Sequence, residues 1–346
     1  MSDQIDHGPD DVGIRIGKDT HRQGLTIRAP FPWFGGKSKA APILWRAFGD
    51  APGYVEPFAG SLATLLARPG GHRPVAETVN DKDRFLCNFW RAVAADPEAV
   101  ARYADWPVNE ADLTARHLWL VTSGAGRLVS IEEDPLLYDA QVAGWWVWGI
   151  NAWIGTGWCS GIGPWHLSNP GQGINRKLPH LGNPGRGINR KLPHLGDPGQ
   201  GINRKLPHLG DPGRGILDYM LALQDRLRSV RVACGDWSRV VSYSVLRAAR
   251  PCAVLLDPPY AADRKSDVYT HDSTEIAADV AAWAIEAGRE SWLRIALCSY
   301  RGDLDLPAGW RSVAWKAGGG YQNDSSRDVV YLSPACISTH QEVLPL

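Results

Sequence analysis

Residues 253–260 read Ala-Val-Leu-Leu-Asp-Pro-Pro-Tyr. Four consecutive apolar residues followed by a carboxylate, two prolines and an aromatic ring describe a buried strand that stops at Asp257. A strand buried on both faces belongs to a parallel sheet covered by helices, and open sheets of that kind bind ligands at the carboxyl ends of their strands. Asp257 offers a hydrogen-bond acceptor at that edge, Pro258 and Pro259 stiffen it, and Tyr260 adds a flat stacking surface. A rigid surface turn is the competing reading, because Pro-Pro is an ordinary loop signal. The remainder of the chain has to decide between them.

Upstream, residues 30–100 alternate helix and strand. A loop at 33–37 leads to a helix over 38–48, a strand at 54–56, a glycine turn and a second helix. A further strand at 74–79 ends in Asn80-Asp81, and a helix follows over 85–95. Downstream, a helix over 216–227, a strand at 230–233 running into Gly235-Asp236-Trp237, and a helix at 243–249 lead to the 253–256 strand. A lid loop at 261–274, a helix at 276–287, a strand at 293–299 and a closing segment at 329–333 complete the pattern. Such alternation predicts an α/β fold, a mostly parallel sheet layered with helices. The catalytic domain then comprises 29–100 and 217–335, interrupted by an insertion at 101–216. The segment 1–28 reads as a mobile tail with no signal-peptide h-region, and 336–346 as a C-terminal tail.

Composition excludes several classes. The chain has 346 residues, 44% hydrophobic and 21% charged, with a formal net charge of zero. Those are the proportions of a globular protein with no global pull toward nucleic acid, so any polyanion site has to be local. Six cysteines lie scattered without a Cys-x-x-Cys pair. Neither a zinc site nor a disulfide framework follows, and a reducing cytoplasm with thiols used as core residues is expected. The uncharged stretch 142–165 is long enough to span a bilayer, but its six glycines argue against continuous helix. Its six tryptophans read as packed core beneath the catalytic domain, with a stacking surface for bases as the alternative.

The local basic patch lies in a tandem repeat. Residues 169–182, 183–196 and 197–210 read NPGQGINRKLPHLG, NPGRGINRKLPHLG and DPGQGINRKLPHLG, and 211–216 begins a fourth copy. Each copy joins a Pro-Gly turn to a run too short for a stable helix, so ribbon or loop is expected. Eight basic residues, Arg176, Lys177, Arg186, Arg190, Lys191, Arg204, Lys205 and Arg214, against Asp197 and Asp211 leave a net charge of six positive. His180, His194 and His208 recur with the repeat. Duplication of one surface residue accounts for them without a metal ladder, and no metal is expected.

Four separated pieces carry the chemistry. Residues 54–61, Tyr-Val-Glu-Pro-Phe-Ala-Gly-Ser, form a strand, a tight glycine turn and a helix start, a device that brings backbone N–H groups close to a ligand. No GxGxxG is present, which disfavours a dinucleotide. Asp81 ends the next strand, where an acid can hold a ribose diol. Pro32-Trp33-Phe34-Gly35-Gly36-Lys37 precedes both, and Asp257-Pro258-Pro259-Tyr260 follows. Their order resembles the Dam-like family of DNA adenine-N6 methyltransferases, with the amino-methyl motif last and a recognition insertion between. The resemblance spans about residues 30 to 333.

That resemblance implies a Rossmann-like fold and S-adenosylmethionine as methyl donor, with S-adenosylhomocysteine as product. It implies that Trp33 and Lys37 contact the cofactor, Lys37 near its carboxylate. Glu56, Phe58 and Gly60 line the cofactor, Asp81 binds the ribose, Asp236 lies near the adenine end, and Asp257 stands between cofactor and base. Asp257, Pro258, Pro259 and Tyr260 are the catalytic set, acting on an adenine flipped out of double-stranded DNA. Where relatives carry a second glycine, this chain has Ser61-Leu62. The segment after Trp165 resembles a DNA-contacting hairpin expanded in tandem, with Arg176, Lys177, Arg190, Lys191, Arg204 and Lys205 on phosphates, or with one working copy beside tolerated loop. A monomer without membrane or obligate protein partner is expected, and the solitary domain set fits an orphan or phage-type enzyme. An N4-cytosine methyltransferase or a silent DNA-binding homologue are the alternatives. Pro251-Cys252, resembling a cytosine-C5 nucleophile pair, reads as core of the entering strand.

Overall fold

The structure, a computed structural model, describes residues 27–33, 35–70, 76–153, 158–159, 215–259, 274–315 and 328–338. The basic repeats with their histidines, Tyr260, the lid loop up to 273, and residues 1–26 and 339–346 fall outside the described residues. Cys336 is buried and Ile337 N–H donates to the Ala47 carbonyl at 2.9 Å, so the packed chain runs past the expected boundary at 335.

Seven strands form one sheet: β1 (Gly53–Glu56), β2 (Ala76–Asp81), β3 (Val230–Cys234), β4 (Cys252–Leu256), β5 (Leu293–Tyr300), β6 (Arg311–Ala314) and β7 (Asp328–Leu332). Their order is β3-β2-β1-β4-β5-β7-β6. β1 to β5 run parallel, and β7 is antiparallel to both β5 and β6. The chain builds outward from β1 through β2 to β3, then returns to place β4 on the other side of β1. This Rossmann-like arrangement has its switch point between β1 and β4, where the diverging connections leave a crevice at the carboxyl ends. Glu56 and Asp257 stand at the two lips of that crevice.

Strand β4 is buried along its length, and its side chains alternate between two cores. Ala253 and Leu255 pack with one face, Cys252, Val254 and Leu256 with the other. The first face is covered by α1 (Ala41–Phe48), α2 (Ala63–Leu66), α3 (Arg84–Ala95), α4 (Pro97–Ala104), α5 (Glu110–Trp119), α6 (Ala125–Arg127), α7 (Ala140–Ala152) and α8 (Ile216–Leu227). The second face is covered by α9 (Tyr243–Leu246) and α10 (Thr274–Ala287). Side-chain caps start several of these helices. Asp83 accepts from the N–H groups of Phe85 at 2.8 Å and Leu86 at 3.2 Å, and Asp139 from that of Val142 at 2.9 Å.

Helix α7 ends within the uncharged stretch 142–165, so that stretch is not one continuous helix. Its glycines do not break the helix; they let neighbours approach it. A Cβ at Gly144 would stand 2.4 Å from the Tyr103 side chain, and one at Gly149 would stand 1.8 Å from the Trp158 ring. The helix stops after Ala152, where Trp153 turns extended. Trp146, Trp148 and Trp153 are buried in the core that also holds Tyr54 and Ala253, so residues 101–153 share a core with the sheet's helices. No helix among the described residues is long and apolar enough to cross a membrane. The strand not foreseen is β6, a short edge strand whose residues are only partly buried or exposed.

A buried ion network fastens α8 to β2. Arg226 donates to both carboxylate oxygens of Glu77 at 2.7 and 2.9 Å and to the Leu65 carbonyl at 3.1 Å, while Arg68 reaches Glu77 at 2.9 Å. Arg68 also donates to the Ala51 carbonyl. Bidentate guanidinium pairing of this kind fixes direction as well as distance.

Candidate active site

Two turns form the first wall of the crevice. Leaving β1, the chain passes Pro57 and Phe58 and turns at Gly60, whose φ of +48° lies in the left-handed region. Ala59 N–H donates to the Asn80 carbonyl at 2.9 Å, and Gly60 N–H donates to Asp81 Oδ2 at 3.0 Å. Trp33 packs so closely on the turn that a Cβ at Gly60 would fall 2.6 Å from its indole. The left-handed turn and the absent side chain are therefore needed together.

Asn80 staples that turn to the next. Its Nδ2 donates to the Pro57 carbonyl and to the Gly235 carbonyl, each at 3.0 Å, and Gly235 N–H returns to the Asp81 carbonyl at 2.9 Å. Asp81 Oδ1 accepts from Asp83 N–H at 3.0 Å, so each of its carboxylate oxygens already holds one backbone donor. Burial foremost, and the neighbouring Asp83, push its carboxyl up to about 6, against those hydrogen bonds. Asp236 caps the short helical turn 237–240 through Ser238 and is held below the usual carboxylate range by that side-chain hydrogen bond.

On the β4 side, the Lys37 ammonium donates to Asp257 Oδ2 at 2.6 Å and to the Gly35 carbonyl at 2.7 Å. It lies 5.3 Å from the centre of the Trp315 ring. Burial opposes its charge most strongly, but Asp257, Cys298 and Asp328 together outweigh burial and Lys37 is raised above the ordinary lysine value. The resemblance put Lys37 near the cofactor's carboxylate; here its ammonium faces the Asp257 carboxylate. Glu56, 4% exposed, accepts from the Tyr54 hydroxyl at 2.8 Å. Burial pushes its carboxyl up to about 8.

These groups line one cavity of about 1000 Å³, open to solvent. Trp33, Lys37, Glu56, Phe58, Gly60, Asp81, Asp236 and Asp257 all contribute to its wall, as does Pro259. Pro258 is buried behind them. The structure thus brings together all eight residues that the sequence assigned to the cofactor. It also adds Asn80 as the staple and Trp237, whose ring lies 6.3 Å from that of Phe58 at an interplanar angle of 26°. The signal for Trp237 was its place directly after Asp236 at the end of β3.

Cys252 sits at the opposite end of β4 from Asp257, buried, with its thiol pushed up to about 12 by burial. It is a core residue and no nucleophile. Arg176, Lys177, Arg190, Lys191, Arg204 and Lys205 lie outside the described residues.

A search of curated proteins finds no match to the chain. The family model for D12 class N6 adenine-specific DNA methyltransferases matches residues 33–114. That span carries Trp33, Lys37, the Gly60 turn and Asp81, the first arm of the cavity described above. Over those residues, which lie on a Rossmann-like sheet with its crevice at the β1/β4 switch point, the chain is similar to the D12 class DNA adenine methyltransferases.

Proposed function

We propose that the protein transfers a methyl group from S-adenosylmethionine to the N6 amine of an adenine flipped out of double-stranded DNA. The observation that carries this reading is the Asp257 carboxylate at the carboxyl end of β4, held at 2.6 Å by Lys37 on the wall of a cavity built like a nucleoside site. The chemistry of the wall fits the cofactor. Asp81 presents its carboxylate to the cavity for ribose hydroxyls, Phe58 and Trp237 offer aromatic faces for a purine, and Glu56 complements a cation. When bound, the cofactor supplies an electrophilic methyl group on a sulfonium.

The chain's own task is to orient the nucleophile. An adenine amine is weakly nucleophilic because its lone pair is delocalised into the ring. Asp257 and the Pro258 carbonyl accept its two N–H bonds, which localises the lone pair and turns it toward the methyl group. The prolines stiffen the acceptors, Lys37 holds Asp257 in place, and Tyr260 stacks on the base. Orientation of this kind supplies much of the rate, and no covalent enzyme intermediate is needed.

In this reading residues 29–100 and 217–335 act as the catalytic domain and 101–216 as the recognition region. Arg176, Lys177, Arg190, Lys191, Arg204 and Lys205 follow DNA phosphates, and one copy of the protein acts alone. Deleting two repeat copies in frame then weakens DNA binding and flattens its salt dependence; unchanged affinity and slope would refute the phosphate role. Incubation of DNA with labelled cofactor, followed by digestion to nucleosides, is expected to yield N6-methyladenine. N4-methylcytosine in its place would overturn the substrate, and DNA retention without methyl transfer would reveal a silent homologue. Asp257→Asn is expected to lower turnover by on the order of 10²-fold or more while cofactor still binds. Wild-type turnover in that variant would refute the role of Asp257.

A further inference from the structure

Among the described residues, the inner wall of the cavity presents one buried ammonium, and it is already matched. Lys37 lies 2.6 Å from Asp257 Oδ2, forming an ion pair with side-chain exposures of 5% and 21%. Glu56 shares the wall without such a match. Its hydrogen bond comes from the neutral Tyr54 hydroxyl at 2.8 Å. Five groups face it among the described residues: Tyr54 from its own strand, Asp257 from the end of β4, Asp81 from the end of β2, Lys37 from the loop before α1, and the Cys298 thiol from β5. Burial and the two aspartates oppose its ionisation, while Tyr54 and Lys37 favour it. Burial dominates, so at neutral pH the cavity without ligand holds a neutral Lys37–Asp257 pair beside a protonated Glu56.

We propose that Glu56 is the specificity-determining residue that distinguishes the cationic methyl donor from its neutral demethylated product. The proposal rests on the reading of this cavity as the S-adenosylmethionine site. The donor carries a sulfonium, an ammonium and a carboxylate, a net charge of one positive; the thioether product carries none. With the donor bound, Glu56 ionises, its O–H bond breaking and the proton passing to solvent. Once the methyl group has left, Glu56 takes a proton back from solvent. The carboxylate thus strengthens donor binding and withdraws that contribution after transfer, which favours release of the product.

The pH dependence isolates this residue from its neighbours. Below about 8 the ligand-free Glu56 becomes progressively protonated, so donor affinity falls by about 10-fold per pH unit on going down. Product affinity has no such dependence on Glu56. Asp81, at about 6, serves ribose hydroxyls that both ligands share, so its titration cancels in their ratio.

The test is isothermal titration of the full chain with S-adenosylmethionine and, separately, S-adenosylhomocysteine, between pH 6 and 9 in buffers of different ionisation enthalpy. The affinity ratio of donor to product is expected to rise by up to ~10-fold per unit to about pH 8 and then level. Proton release at pH 7 should approach one for the donor and stay near zero for the product. Glu56→Gln keeps an acceptor for Tyr54 and is expected to abolish the slope, weakening the donor at least ~10-fold and leaving the product within ~2-fold. A flat ratio in the wild type, equal proton release for both ligands, or a slope retained in the glutamine variant overturns the proposal. Failure of both ligands to bind overturns the cofactor reading instead, and the proposal with it.

Discussion

Replacing Gly60 by alanine tests the architecture of the cofactor turn. Two independent costs meet at this residue. Its φ of +48° is left-handed, which costs an L-residue about 1 kcal/mol. A Cβ there would also stand 2.6 Å from both Cδ1 and Nε1 of Trp33, an overlap that costs about 1–3 kcal/mol to relieve. The turn cannot easily swing away, because Gly60 N–H is held by Asp81 at 3.0 Å and its carbonyl accepts from the Trp90 indole at 3.2 Å. The expected total is about 2–4 kcal/mol, measured as the change in urea unfolding free energy. Trp33→Ala removes the wall that the new methyl group would strike. In that background Gly60→Ala should cost only the backbone part, about 1 kcal/mol, so the cycle should show a coupling of about 1–3 kcal/mol. An equal cost in both backgrounds would refute the close approach of Trp33, and a cost below about 0.5 kcal/mol in the wild type would refute the left-handed turn itself.

Three further expectations follow from buried groups. Arg226→Met strips the bidentate partner from Glu77 and should destabilise the fold by about 3 kcal/mol in chemical unfolding; adding Glu77→Gln should recover part of that loss, and no recovery would argue against the ion network. Burial pushes the Glu56 carboxyl up to about 8 in the fold against 4.5 for a free glutamate, so the stability it permits is fully present below 4.5 and is lost as pH rises through 8, by at most ~5 kcal/mol. Unfolding of the ligand-free protein followed from pH 4.5 to 9 should show that decline, and Glu56→Gln should flatten it; a decline that persists in the variant assigns it elsewhere. Cys252 should resist iodoacetamide in the native protein at pH 8 and label on unfolding, and Cys252→Ala should retain methyl transfer; loss of transfer in a folded variant would reopen a covalent mechanism.

What could be read from the chain followed the strength of local patterns. The apolar run before Asp257 and the glycine turn after Glu56 mark strand ends, so both lips of the crevice were legible, whereas the pairing of β1 with β4 that makes the switch point was not. Helix boundaries agreed where a capping residue marked them, as Asp83 does for α3. Strand β6 was illegible because an edge strand with partly exposed residues carries no apolar period. Helix α7 tolerates Gly144 and Gly149, which lower helix propensity, because Tyr103 and Trp158 fill the space they leave. The meeting of Lys37 with Asp257, 220 residues apart, depends on tertiary placement that no window of sequence contains.

The position of the insertion bears directly on the site. The connection from β2 to β3 runs from Asp81 to Val230, yet Gly235 N–H still meets the Asp81 carbonyl at 2.9 Å and Asn80 still bridges both turns. Closing a longer loop costs little, because the entropy grows only with the logarithm of its length, about 0.6 kcal/mol per doubling. The returning helix α8 must nevertheless be fixed in direction before β3 can pair in register. Arg226 does this by gripping Glu77 on β2 itself, one strand away from where β3 will lie. Copies of the 14-residue repeat added or removed upstream of Ile216 then change the length of the excursion without altering the pair that ends it. The chain can therefore vary the length of its insertion while Asp81, Asn80 and Gly235 keep the geometry of the cavity wall.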